Sequence, residues 1–136
     1  MITISQNPFL RAALVGDAIA SAATGLLCAA GAGLLAGPLG LPEVLLRGAG
    51  LVLLPYAAGV LWLGLRESAP RAAIVAVIAI NVLWVLDSVL LLASGWVAPT
   101  GLGTAFVIVQ ALAVAGFAAA QSLALRGSGA PAAQRA

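Results

Sequence analysis

Three side chains in this sequence would carry charge where charge is costly: Asp17, Arg47 and Asp87 each sit inside a run of Ala, Leu, Val and Gly. A charged group at the centre of a membrane helix costs roughly 2.5–3.5 kcal/mol on insertion scales, so each needs a partner, a change of protonation or an aqueous cavity. The chemistry on offer is therefore ion pairing or proton exchange at a carboxylate. Around Asp17, the residues Ser21, Thr24 and Cys28 recur at i+4, i+7 and i+11, on one stripe of a helix. Ala13, Ala20, Gly25 and Gly31 widen the stripe with small side chains. Such a face is expected to turn toward protein, as a packing seam that admits a neighbouring helix and its hydrogen bonds. A proton or solute path is the competing use.

Further along, Asn81, Trp84 and Ser88 share a helix face with Asp87 on its flank, and Gln110 and Gln121, eleven residues apart, share another. Counting inward from the helix ends puts Asn81 and Gln110 at similar depth, which predicts an amide pair between the third and fourth helices. The same count brings Arg47 level with Asp87 and predicts an ion pair between the second and third. Glu43, four residues before Arg47 on the same helix surface, is the rival partner. Tyr56 lies deep in its segment and needs a hydrogen-bond partner that the sequence does not name.

Other chemistries have no residues behind them. There is no histidine, which removes the usual haem ligand and the usual acid–base group at neutral pH. Cys28, the single cysteine, excludes an internal disulfide and reads as a small core side chain. No phosphate loop, zinc spacing, nucleophile elbow or paired catalytic carboxylates occur. The expectation is a chain with no catalytic residue, no metal site and no cofactor, hence not an enzyme. With a formal net charge of +2 it has no basic patch suited to nucleic acid.

The elements that position these residues follow from composition. Hydrophobic residues make up 63% of the 136 and charged residues 7%, against about 25% charged in a soluble domain. Mean hydropathy is +1.17. A hydrocarbon core about 30 Å thick takes roughly 20 helical residues to cross, so four crossings use nearly the whole chain. The apolar runs are continuous and rich in Ala and Leu rather than alternating, which points to helices instead of barrel strands. The reading is all-α, an integral membrane four-helix bundle forming one domain over residues 1–126. Its helices are expected at about 10–35, 44–65, 72–93 and 102–125, with a mobile tail over 127–136. Gly37-Pro38-Leu39-Gly40 is expected to end the first helix. Pro55 should bend the second, and Trp62 and Trp96 suit the membrane interface. A cleaved signal peptide is a poor fit to the first segment, since the apolar run is longer than a signal core and contains Asp17. Arg11, Arg66, Arg71, Arg126 and Arg135 fall on one side if both termini share it, and the positive-inside rule makes that side cytoplasmic.

The stretches Leu10-Arg11-Ala12-Ala13-Leu14-Val15-Gly16-Asp17-Ala18, entered through Asn7-Pro8-Phe9, and Asn81-Val82-Leu83-Trp84-Val85-Leu86-Asp87-Ser88-Val89-Leu90-Leu91-Leu92-Ala93-Ser94-Gly95-Trp96 resemble small uncharacterised four-helix integral membrane proteins of bacteria. The resemblance implies the architecture and carries over no active-site residue. The chain is unlike small multidrug transporters, which are built around a glutamate in the first helix, and unlike four-helix fluoride channels and thiol oxidases. Absence of lysine and abundance of Ala, Gly, Leu and Arg also suit a bacterial source. The expected setting is a bacterial inner membrane, with the lipid bilayer and either a membrane-protein partner or a second copy as neighbours. The favoured function is a non-enzymatic accessory or structural subunit; the alternative is a small proton-coupled carrier using an intramembrane aspartate.

Overall fold

A computed structural model describes residues 2–128 of the chain. Its four long elements are all helices, α1 (Pro8–Leu39), α2 (Glu43–Gly64), α3 (Arg71–Ala93) and α4 (Gly101–Ser128), and each is long and apolar enough to cross a membrane. Local signals set the start of α1. Pro8 occupies the first turn, where its missing N–H costs nothing, and the Asn7 side chain accepts the Leu10 N–H at 2.7 Å.

The ends depart from the sequence reading for tertiary reasons. α1 continues past Leu35 and carries Pro38 in its last turn, then stops at Gly40, whose φ of 65° is the left-handed cap that glycine adopts freely. The α3–α4 link holds that last turn: Thr100 donates its N–H to the Leu39 carbonyl at 3.0 Å and its hydroxyl to the Pro38 carbonyl at 2.7 Å. α4 runs beyond Leu125 because Ala124 and Leu125 are core residues, and Arg126 complements the negative end of the helix dipole. Gly127 and Ser128 thus extend the helix instead of beginning a tail, and the rest of the expected tail, 129–136, lies outside the described residues. α2 passes through Pro55 as one helix.

A small feature is new. Thr3–Ser5 (β1) pairs antiparallel with Ser68–Pro70 (β2), Ile4 opposite Ala69, and both of those residues are buried. Gln6 extends the clasp by donating its side-chain amide to the carbonyls of Leu63 at 2.6 Å and Arg66 at 3.0 Å.

Helix order is where the sequence expectation fails most. α2 packs along α1, α1 meets α4 and α4 packs along α3, whereas α2 and α3, consecutive in the chain, barely touch. The α1–α2 seam is close enough that a side-chain carbon at Gly50 would collide with the Ala29 amide and lie 2.6 Å from the Gly25 carbonyl. All four helices converge at the end that carries the clasp, around Leu10, Leu14, Val60, Ile74 and Leu125. At the opposite end the core is Cys28, Ala32, Leu39, Leu41, Leu46 and Val107, and α3 reaches it only through partly buried Leu92. The bundle is closed at the clasp end and splayed at the other.

Candidate functional site

The residue on which the four helices converge is Asp17. It is 1% exposed, and both of its oxygens are occupied. Oδ1 accepts from Ser21 Oγ at 3.1 Å, one turn further along α1. Oδ2 accepts from Tyr56 Oη of α2, Asn81 Nδ2 of α3 and Gln121 Nε2 of α4, each at 2.9 Å. The remaining Asn81 amide hydrogen reaches Gln121 Oε1 at 3.1 Å, and Tyr56 Oη lies 2.7 Å from Asn81 Oδ1. With 1.5 Å of rise per residue, these groups stand roughly 10–15 Å in from the clasp-end termini of their helices. A ring of polar groups therefore spans the bundle in its clasp-side half, drawing on every helix.

The donors are four and all neutral, while no arginine approaches. A carboxylate offers about four lone-pair sites, so the ring satisfies the ionised form without a counter-ion. Tyr56 introduces a second possibility. Its single proton stands between two acceptors, Asp17 Oδ2 and Asn81 Oδ1. With Asp17 ionised the proton is drawn to Asp17, and Asn81 Oδ1 is left facing an oxygen. With Asp17 protonated, the acid donates to Tyr56 Oη and the phenolic proton turns to Asn81, which makes both short contacts hydrogen bonds. Gaining a proton thus reverses the direction of the hydrogen bond between α1 and α2.

Above the ring, toward the splayed end, are two cavities. One of about 510 Å³ lies between α1 and α4, with Asp17, Ser21, Thr24, Trp84, Gln110 and Phe117 among its walls. The second, about 900 Å³, is the cleft between α2 and α3; Thr24, Leu53, Trp84, Phe106 and Gln110 line both. A second polar group stands at that shared wall: Trp84 Nε1 donates to Gln110 Oε1 at 2.6 Å, and Gln110 Nε2 donates to Ser88 Oγ at 3.0 Å.

Of the residues that the sequence singles out, Asp17, Ser21 and Asn81 come together in the ring. Thr24 is half-buried at the cavity wall beside it. Gln110 belongs to the second group, and the expected Asn81–Gln110 pair does not form. Gln110 is nine residues into α4 and Trp84 is nine from the end of α3, so those two are level; Asn81, twelve residues from that end, lies about 4.5 Å deeper. The Arg47–Asp87 pair does not form either. Arg47 contacts Glu43 at 3.1 Å and donates to the Ala29 carbonyl at 3.4 Å, because the open cleft separates α2 from α3 at this level. Asp87 is exposed on the wall of that cleft.

Sequence reasoning missed Gln121 and left Tyr56 without a partner. The signal for Gln121 was its shared face with Gln110, three turns apart. For Tyr56 it was a phenol deep in an apolar helix, which must find an acceptor. Among the described residues no three of Cys, Asp and Glu gather as a metal site would require. Comparison with family models, with curated proteins and with solved structures finds no match to this chain.

Proposed function

We propose that this chain is a multi-pass protein of the bacterial inner membrane, with both termini cytoplasmic, that works as a small proton-linked carrier. The observation that supports this reading is the pairing of a closed polar ring around Asp17 with a bundle splayed open on one side of it. Ring and splay together have the layout of a gate: one cavity, of about 510 Å³, reaches the Asp17 side chain from the open end, and packed apolar side chains seal the other. A purely structural lock would gain nothing from a carboxylate, since an amide would hold the same helices without an insertion cost of roughly 2.5–3.5 kcal/mol. A change of charge at a group that no fixed cation neutralises would be coupled to a rearrangement of the four donors around it. Its reversal of the Tyr56 bond alters the tie between α1 and α2 at the level where the gate would open. No bond-making chemistry is part of this proposal.

The orientation has its own support. Arg11 donates to the Arg66 carbonyl at 3.0 Å, Arg71 joins the clasp through the Ile2 carbonyl at 2.9 Å, and Arg126 follows the core residue Leu125. Four of the six arginines thus gather at the clasp end, as the positive-inside rule favours for a cytoplasmic face.

The test needs no known substrate. In a Cys28→Ala background, single cysteines at Leu53, in the cleft, and at Val60, on the clasp side of the ring, are labelled with a membrane-impermeant maleimide in oriented vesicles. The expected result is labelling of Leu53→Cys from the splayed side, and a shift toward Val60→Cys from the clasp side when Asp17→Asn removes the carboxylate charge. If Asp17→Asn changes neither rate, the ring is a fixed lock and the carrier reading fails.

A second reading, the accessory subunit, draws on a different observation. A side-chain carbon built at Gly59 or Gly116 would meet nothing within 4 Å, so these outward positions would let a neighbouring helix approach closely. Native mass spectrometry from mild detergent tests it, with a stoichiometric second subunit expected.

A further inference from the structure

The α2–α3 cleft holds one full charge and no answer to it. Asp87 is exposed on its wall, and among the described residues it makes no hydrogen bond or ion pair. Arg47, the cation that could have neutralised it, is engaged by Glu43 and by the Ala29 carbonyl. The surroundings are mostly apolar, built from side chains such as Leu45, Val52 and Leu91 with the rings of Trp84, Trp96 and Phe106 among them, and the neutral Gln110 and Ser88 there bond to each other. Six residues separate Asp87 from the end of α3, which sets it about 9 Å below that end.

A carboxylate at this depth attracts a cation, and aromatic faces hold a weakly hydrated one through their quadrupoles. Size selects among the cations. The cleft, about 900 Å³, falls within the roughly 300–1,000 Å³ of small-molecule sites. A lipid headgroup would have to be drawn down about 9 Å from the helix end, whereas a free amphiphile can settle at the level of the charge. We propose that the α2–α3 cleft binds a hydrophobic organic monocation, its charge on Asp87 and its apolar body among the aromatic side chains. This deepens the carrier reading, on which it rests for the route by which the cleft is emptied, by naming the substrate class.

The experiment measures binding of tetraphenylphosphonium to the full chain in detergent by equilibrium dialysis, with triphenylphosphine oxide as the neutral counterpart. The expected result is saturable, stoichiometric binding of the cation that falls about tenfold or more in Asp87→Asn. Binding should recover in Asp87→Glu. The neutral compound should bind wild type and Asp87→Asn alike, which also reports that the variant is folded. Equal cation affinity in wild type and Asp87→Asn overturns the proposal. So does full displacement of the cation by added phosphatidylcholine, which would make the cleft a lipid headgroup site. Asp87-dependent binding without an Asp17-dependent labelling shift supports this site and removes only the carrier reading. A labelling shift without Asp87-dependent binding does the reverse.

Discussion

Tyr56 is the residue whose role can be tested most sharply. Its hydroxyl stands between Asp17 Oδ2 and Asn81 Oδ1 with one proton to give, so Tyr56→Phe removes one buried hydrogen bond and leaves Asn81 Oδ1 with no donor in either protonation state, while Asp17 keeps Ser21, Asn81 and Gln121. Leaving one buried polar group unsatisfied costs about 1–3 kcal/mol, and the thermal midpoint in detergent is expected to fall accordingly. Asn81→Leu should cost more, because it strips a donor from both Asp17 and Gln121 and buries an apolar chain in the ring. The two changes act on one network, so their double variant is expected to lose less than the sum. Additive losses would show that Tyr56 and Asn81 hold separate contacts. At this scale the sequence was legible in part. Charge inside an apolar run marked Asp17, and helical periodicity marked its stripe. Which amide meets which could not be read, since a lateral pairing depends on how the helices are offset and inclined: counted from the same end, Asn81 lies about 4.5 Å from the level of Gln110 and about 12 Å from that of Gln121, yet it meets Gln121.

Helix existence at the scale of elements was written in hydropathy, and helix neighbourhood was not. Consecutive elements are usually adjacent in space, and the expected Arg47–Asp87 pair assumed that α2 and α3 were such a case. The link between them is instead occupied as β2, paired with a three-residue N-terminal strand too short to leave a periodic signal. With the link held against β1, α2 turns its small-residue side to α1 and leaves α3 to α4. The seam that results makes a prediction at its tightest point. Gly50→Ala must push α2 from α1, because the added carbon meets the Ala29 amide and the Gly25 carbonyl; overpacking of this kind typically costs about 1–3 kcal/mol. Gly48→Ala, two residues away with open space around it, should be neutral or raise stability by up to about 1 kcal/mol through helix propensity. Urea or thermal denaturation of the two variants side by side checks the contrast, and equal behaviour would deny the close approach of α1 and α2.

For the whole molecule, the polarity of the bundle links its charge to its shape. The clasp end gathers arginines, the tight apolar core and both described ends of the chain, while the splayed end carries the cleft, Trp96 and the loop over 94–100. If the arginines fix the clasp end in the cytoplasm, the cleft opens outward, and the ring around Asp17 is reached from outside while its far side is sealed from within. The orientation can be tested apart from any transport. Ser68 is exposed in the clasp and Ala98 is exposed in the opposite loop. Thr100, in the same loop, is unsuited to replacement, because its hydroxyl and amide bind the end of α1 and its side chain accepts the Gly103 N–H at 3.0 Å. In a Cys28→Ala background, Ala98→Cys in intact cells should react with an impermeant maleimide, and Ser68→Cys should react only after the membrane is opened. The reversed pattern would place the cleft on the cytoplasmic side. Reaction of both in intact cells would mean that the two ends of the bundle do not lie on opposite faces of one membrane, and the outward-opening arrangement would then be abandoned along with the orientation.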